Sequence, residues 1–120
     1  MELQPHISTH VLDTSRGVPV KNLPVSLYKA SDSTNNSWIL LSESYTSTNG
    51  RCTNLLEIAS QILTVGRYKI VFNVESYFIT MKTPALYPSI EIIIDIKNSL
   101  ENYHLPLLLN PNGYSTYRGA

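Results

Sequence analysis

Three histidines are the side chains of this chain best suited to acid–base chemistry near neutral pH: His6, His10 and His104. On a strand, His6 and His10 would share a face but lie roughly 13 Å apart, which is too far for both to bind one metal ion. No Cys-x-x-Cys pair accompanies them, so no metal site is expected. His10 and His104 are therefore candidates for acid–base catalysis. A hydrogen-bonded strand histidine without a catalytic role is the commoner alternative for each.

Two arginines could bind an oxygen-rich ligand through the planar guanidinium group. Arg51 directly follows an Asn-Gly dipeptide, a strong signal for a tight turn that would fix its position. Arg118 follows Tyr117 in a tyrosine-rich C-terminal stretch. A solvated surface position is the simpler alternative for both arginines. Cys52 is expected to be a small packed thiol, because the sequence indicates no base beside it.

Alternation of apolar and polar residues predicts that strands position these groups. About seven or eight short strands separated by turn signals are typical of an antiparallel sandwich of two sheets. The clearest predicted strands are residues 6–13, 23–29, 38–46, 68–74, 89–97 and 103–109. The last of these is apolar on both faces, whereas a two-layer sandwich covers only one face of each sheet. This pattern suggests a subunit interface at residues 103–109.

One segment has the residue spacing of a helix. In residues 55–63 the apolar side chains recur at intervals of three and four, and Gly66 follows as a stop signal. Residues 76–88 contain Pro84 and Pro88 and are predicted to form a long connection.

Charge and length limit the class of protein. Nine Lys and Arg residues balance nine Asp and Glu residues, so nucleic acid and anionic membranes are not expected partners. No apolar run reaches membrane-spanning length. Residues 1–120 suit a single domain. A lone cysteine and the lack of a signal peptide favour a cytoplasmic protein. A peroxisomal location is possible, but no terminal signal of the S-K-L type is seen.

Seven short segments resemble the transthyretin-related family and come in that family's order along the whole chain. They are Thr-His-Val-Leu-Asp (9–13), Gly-Val-Pro (17–19), Pro-Val-Ser-Leu-Tyr (24–28), Thr-Asn-Gly-Arg-Cys (48–52), Tyr-Pro (87–88), His-Leu-Pro-Leu-Leu-Leu (104–109) and Tyr-Ser-Thr-Tyr-Arg-Gly (114–119). The fourth alone is a weak signal, whereas the last two are specific. Two positions depart from the family pattern: Phe78 stands at a tryptophan position, and Ala120 replaces the terminal serine of the family's enzymes.

The resemblance implies an all-β, two-sheet, transthyretin-like sandwich of about eight strands with one short helix. It also implies a homotetramer, a dimer of dimers with active sites at the interface between the dimers. The implied function is that of a hydrolase: cofactor-free hydrolysis of 5-hydroxyisourate to 2-oxo-4-hydroxy-4-carboxy-5-ureidoimidazoline in purine (urate) degradation. A transthyretin-like protein that binds a small molecule without turnover is the alternative.

The resemblance also implies roles for individual residues. His10 and His104 would activate water and transfer protons, in an order that the sequence does not fix, and His10 would also contact the substrate. Arg51 would bind and polarise the substrate. Tyr117 would contact it from the C-terminal tail, and Arg118 would bind the substrate or help to anchor the tail or the site.

Overall fold

Two β-sheets face each other across one apolar core in the computed structural model, which describes residues 4–31 and 37–119. Sheet A contains β1 (Ile7–Asp13), β2 (Val18–Pro19), β5 (Arg51–Cys52), β8 (Tyr103–Asn110) and β9 (Gly113–Thr116). Sheet B contains β3 (Pro24–Ala30), β4 (Trp38–Tyr45), β6 (Gly66–Asn73) and β7 (Ser89–Ile96). The predicted all-β sandwich of two sheets is therefore confirmed. The departure at Ala120 lies outside the described residues.

The alternation of side chains along β6 shows how the core forms. Tyr68, Ile70 and Phe72 point between the sheets and are almost completely buried. The alternate residues Arg67, Lys69 and Val71 lie on the outer face, where Arg67 pairs with Asp95 of the neighbouring strand β7. Each large apolar side chain removed from water contributes about 1.5–3 kcal/mol to folding. The predicted faces of this strand are confirmed.

One strand pair departs from the predicted antiparallel arrangement. β1 runs parallel to β8, with Ser8 opposite His104 and His10 opposite Pro106. The other strand pairs in the described part of the chain are antiparallel. Parallel neighbours cannot be joined by a tight hairpin, so they require a long connection. Here the intervening strands of both sheets supply that connection.

The helical segments also differ from the prediction. The helix expected over residues 55–63 covers only Leu55–Ile58 (α1), and Ser60 just beyond it adopts a φ of 54°. Left-handed backbone of this kind is incompatible with a continuing right-handed helix. A second helix, α2 (Glu75–Thr80), begins where a plain connection was predicted. Neither helix is long and apolar enough to cross a membrane, and the described residues contain no other helix that is.

A buried carboxylate connects α2 to the end of β1. The hydroxyl of Tyr77 donates a hydrogen bond of 2.6 Å to Oδ2 of Asp13, and Ser15 donates to Oδ1 through its backbone N–H and its hydroxyl. Burial alone would raise the pKa of Asp13, but the hydrogen bonds from Ser15 and Tyr77 bring this pKa below its usual value. Burial and the bond to Asp13 raise the pKa of Tyr77 to about 12. The ionised form of Asp13 is therefore the form that the fold stabilises.

We predict that Tyr77→Phe lowers the free energy of unfolding by about 1.5–3 kcal/mol at neutral pH, because Asp13 loses a buried donor to its charge. The native pKa of Asp13 lies below the unfolded value, so this stabilisation is present above the unfolded pKa. It is lost as the pH falls through the native pKa. The deficit of the variant should shrink in the same acidic range, as measured by urea unfolding at a series of pH values.

Tyr87→Phe is the matched control. The Tyr87 ring packs edge-on against Tyr114, so removing its hydroxyl should change the free energy of unfolding by less than about 0.5 kcal/mol. Equal losses in the two variants, or a pH-independent loss in Tyr77→Phe, would contradict the role given to Asp13.

Candidate functional site

Strand β1 sends two polar side chains to the outer face of sheet A, the face turned away from the core. Ile7, Thr9 and Val11 are fully buried on the inner face. Because side chains alternate along a strand, Ser8 and His10 lie on the outer face. This confirms the faces predicted for β1.

The strand register brings two further residues to the same place. Arg51 on β5 is the partner of His10, and His104 on β8 is the partner of Ser8. With strands about 4.8 Å apart and a rise of about 3.3 Å per residue, the Cα atoms of His10 and His104 are expected to lie roughly 8 Å apart. We call Ser8, His10, Arg51 and His104 the histidine face. Three of the predicted site residues are therefore brought together.

The Asn-Gly turn holds the ring of His10. Nε2 of His10 lies 2.8 Å from the carbonyl oxygen of Asn49, which can only accept, so Nε2–H is the donor. Gly50 has a φ of +83°, and a Cβ there would lie 2.5 Å from the carbonyl oxygen of Val11 and 3.3 Å from Cδ2 of His10. Only glycine satisfies both the conformation and the close approach. The predicted tight turn is confirmed, and it positions His10 as well as Arg51.

His104 is wedged between β1 and the C-terminal tail. Its Nδ1 lies 2.8 Å from Oγ of Ser8, a side chain that is only 5% exposed. On the other side of the ring, a Cβ at Gly119 would lie 2.8 Å from Cδ2 of His104, and the N–H of Gly119 donates to the His104 carbonyl oxygen at 2.7 Å. Since Nδ1 and Cδ2 are both flanked, the distal Nε2 points away from the sheet.

The electrostatic surroundings keep His104 neutral. Burial lowers the pKa of its imidazole, and the positive charges of Arg51, His10 and His6 lower this pKa further. Arg51 itself is exposed, and its guanidinium has no hydrogen-bond or ion-pair partner within the described residues. A neutral imidazole beside a free guanidinium suits chemistry in which negative charge develops on a substrate.

The tail carries Tyr117 to the same face. The pairing of Leu107 with Thr116 and of His104 with Gly119 follows one register, which places Tyr117 opposite Pro106 and on the same face as His104. The ring of Tyr117 is 56% exposed. It is therefore available to contact a molecule bound at the histidine face.

The structure does not place Arg118 with this group. Its guanidinium lies 4.2 Å above the ring centre of Tyr103 and 2.9 Å from a carboxylate oxygen of Glu101. The alternation of the tail directs it away from Tyr117 and Gly119. Its contacts anchor the tail, which is one of the two roles predicted for it, and they do not direct it toward a ligand at the histidine face.

The role of Ser8 could not be found from the sequence alone. Alternation places Ser8 on the same face as His10, but its partnership with His104 depends on the parallel pairing, which was not predicted. Cys52, by contrast, is the packed thiol that was expected: it is 2% exposed, and burial raises the pKa of its thiol. Among the described residues no three His, Cys, Asp or Glu side chains are grouped to hold a metal ion.

The histidine face lies apart from the groove next to α2. A groove of about 720 Å³ lies elsewhere, between α2 and the residues around β2, and none of the histidine-face residues lines it. Beside the histidine face the outer surface becomes apolar at Leu12 and Leu108, which are both half-buried. An apolar border of this kind is typical of a surface that a second protein chain covers.

Comparison with known proteins gives a consistent result. The sequence profile of the HIUase/Transthyretin family matches residues 7–119. The 5-hydroxyisourate hydrolase of Mus musculus is 39% identical over 114 residues, covering 95% of this chain and 94% of that protein. The solved structure of Klebsiella pneumoniae 5-hydroxyisourate hydrolase is 29% identical, with a TM-score of 0.80 and coverage of 98% and 100%. Sea bream transthyretin, 20% identical with a TM-score of 0.84 and coverage of 95% and 94%, shares the fold.

We predict that Gly119→Ala detaches the tail from His104, because the added methyl group would lie 2.8 Å from the imidazole carbon and 3.4 Å from the ring of Pro106. Hydrogen exchange of the residue-119 amide should become much faster, and the His104 ring resonances should shift. Gly113→Ala is the control, since a methyl group there meets nothing within 4 Å. Unchanged exchange at residue 119 would show that the ring and tail are not in close contact.

Proposed function

The chain belongs to the HIUase/Transthyretin family, and we propose that it is a 5-hydroxyisourate hydrolase whose active site is the histidine face together with Tyr117. Its relatives from mouse and from Klebsiella pneumoniae carry that name and align over nearly the whole chain. The main support for this site is that His10, Arg51 and His104 lie on one surface although they come from three different strands.

The chemistry of the reaction explains why these residue types are needed. Hydrolysis of 5-hydroxyisourate opens a cyclic amide: the oxygen of water bonds to a ring carbonyl carbon, and the ring C–N bond then breaks. A base must take a proton from the water, the oxyanion must be stabilised, and the departing nitrogen must receive a proton. The product is 2-oxo-4-hydroxy-4-carboxy-5-ureidoimidazoline, and the reaction belongs to purine (urate) degradation.

Each group of the site suits one of these requirements. The imidazoles of His10 and His104 are the groups able to exchange protons or donate hydrogen bonds at neutral pH. The guanidinium of Arg51, which has no partner among residues 4–31 and 37–119, offers a planar pair of donors to the oxyanion or to a flat heterocycle. Tyr117 contributes a contact from the tail. Arg118 serves the site indirectly, by fixing the tail to Glu101 and Tyr103.

A spectroscopic assay of freshly generated 5-hydroxyisourate tests the function. We expect the protein to accelerate the decay of the substrate well beyond the rate in buffer. A decay rate equal to that in buffer, together with saturable binding of the substrate, would favour the alternative of a transthyretin-like binding protein without turnover.

We further propose that the active form is a homotetramer, a dimer of dimers. Two kinds of surface support this. Strands β7 and β9 end their sheets, so their outward backbone groups can pair with a second copy. The apolar border of the histidine face can bury itself against another copy and exclude water from the site. Two distinct self-complementary surfaces are what closed twofold assemblies require.

The proposal extends to the domain organisation and the cellular location of the protein. We propose that residues 1–120 form one transthyretin-like hydrolase domain. The single core cluster and the family match over residues 7–119 support this. A cytoplasmic location is proposed from the lone, buried thiol of Cys52, which suits a reducing compartment.

We predict that Leu108→Glu prevents the dimer-of-dimers contact, because it places a charge in the apolar border beside the histidine face. Sedimentation should show a species smaller than a tetramer, and turnover of 5-hydroxyisourate should fall with it. Leu40→Glu is the control, since Leu40 is an exposed leucine on sheet B. A monomeric wild-type protein with full activity at micromolar concentration would refute the assembly.

We predict that Arg51→Ala lowers turnover by roughly a hundredfold to a thousandfold, the usual cost of losing one oxyanion donor. Arg51→Lys should not restore turnover, because it lacks the planar fork. The two variants should differ in the pKa of His104. Alanine removes a positive charge that lowers this pKa, so the pKa should rise toward its ordinary value, whereas lysine should keep it low.

NMR titration of the His104 ring measures this pKa independently of turnover. Arg67→Ala is the control, because that arginine pairs with Asp95 on the solvent face of sheet B. Near-normal turnover in both Arg51 variants would remove Arg51 from the site.

A further inference from the structure

We infer that their hydrogen bonds give the two histidines different roles in the reaction. The bond from Nε2–H of His10 to the Asn49 carbonyl leaves Nδ1 of His10 unprotonated, so that it acts as the general base. The bond from Ser8 to Nδ1 of His104 makes His104 a neutral donor through Nε2–H. This inference rests on the proposed function. It makes Ser8, which has no assigned role, a positioning residue for the reaction.

The orientation of His10 follows from its contacts. Its Nε2–H donates to the carbonyl oxygen of Asn49, and Cδ2 faces Gly50, so this edge of the ring points toward β5. The opposite edge, which carries Nδ1, therefore points toward β8, since β5 and β8 flank β1 on opposite sides. A neutral imidazole with a proton on Nε2 has an unshared electron pair on Nδ1. His10 thus presents a base toward His104.

The tautomer of His104 follows from the surroundings of Ser8. Ser8 is only 5% exposed, and Nδ1 of His104 is the one hydrogen-bond partner of its hydroxyl within residues 4–31 and 37–119. If Nδ1 carried the proton, the hydroxyl hydrogen of Ser8 would be buried without an acceptor, which is unfavourable. Ser8 therefore donates to Nδ1. The proton of the neutral ring is then on Nε2, which points outward.

The two tautomers fit consecutive steps of the hydrolysis. As water bonds to the carbonyl carbon, one of its protons moves to Nδ1 of His10. The oxyanion accepts hydrogen bonds from Nε2–H of His104 and from Arg51. When the ring C–N bond breaks, the proton on Nδ1 of His10 passes to the departing nitrogen, so His10 returns to its starting state. His104 stays neutral throughout, in keeping with its lowered pKa.

Nitrogen-15 NMR of the imidazole rings tests the tautomers without substrate, because protonated and bare ring nitrogens resonate far apart. Above neutral pH, wild-type His104 should be a single Nε2–H tautomer, and Ser8→Ala should give a mixture. Ser8→Thr, which keeps the hydroxyl and suits a strand, should behave as wild type. Protonation of wild-type His104 on Nδ1 would overturn the inference. This measurement uses the wild-type protein, so it can be made even if Ser8→Ala fails to fold.

Kinetic measurements test whether Ser8 positions His104 for the reaction. Ser8→Ala should lower kcat about tenfold with little change in KM, less than the hundredfold or more of losing an oxyanion donor outright. Ser8→Thr should restore kcat, and Ser76→Ala, which changes an exposed serine on α2, should leave it unchanged. A normal kcat in Ser8→Ala would refute the positioning role.

Two glutamine variants separate base from donor. The amide N–H of glutamine can replace a neutral donor but cannot replace a base. We therefore expect His104→Gln to stay within roughly tenfold of wild type and His10→Gln to lose at least about a hundredfold. If turnover by His104→Gln is at least as slow as turnover by His10→Gln, the roles of base and donor would have to be reversed. A wild-type protein without any turnover would refute the proposed function instead, and the NMR result would still decide the tautomers.

Discussion

Backbone hydrogen bonds between the parallel strands β1 and β8 fix the register on which both faces of sheet A depend. On the inner face this register aligns Val11 with Leu107, two fully buried residues of the core. On the outer face it aligns Ser8 with His104. A slip of one residue would exchange the two faces, placing the histidines in the core and apolar side chains in solvent. The burial of the inner face therefore enforces the geometry of the outer one, so the site is stabilised by the core beneath it.

Glycine determines how closely other segments approach this strand pair. At Gly50 the turn touches the backbone of β1, and at Gly119 the tail touches the ring of His104. Both contacts are too short for any side chain at the glycine position. Main-chain groups and the hydroxyl of Ser8 consequently fix the imidazole rings of His10 and His104. Without these contacts the two rings would rotate freely.

The sequence was sufficient for the features that depend on neighbouring residues. Alternation predicted the faces of β1 and β6, and Asn49 with Gly50 predicted the tight turn. The parallel pairing was not predictable in this way, because it joins residues 96 positions apart. The short helix α2 was missed because its stability comes from burying Phe78 and from the contact of Tyr77 with Asp13, and local spacing shows neither. The contacts of Arg118 were not predictable either, because its partner Glu101 lies 17 residues earlier and meets it only once the tail is folded.

The 96 residues that separate Ser8 from His104 also determine when the site can form. β1 is synthesised 96 residues before its parallel neighbour, so the intervening strands must be made before the pair can close. Closing such a long loop costs entropy before any contact compensates for it, and folds rich in distant pairings form in milliseconds to seconds. The nascent chain consequently carries an apolar strand with one open edge until β8 has been made. The histidine face and the core beneath it are then completed in the same step, when β8 pairs with β1.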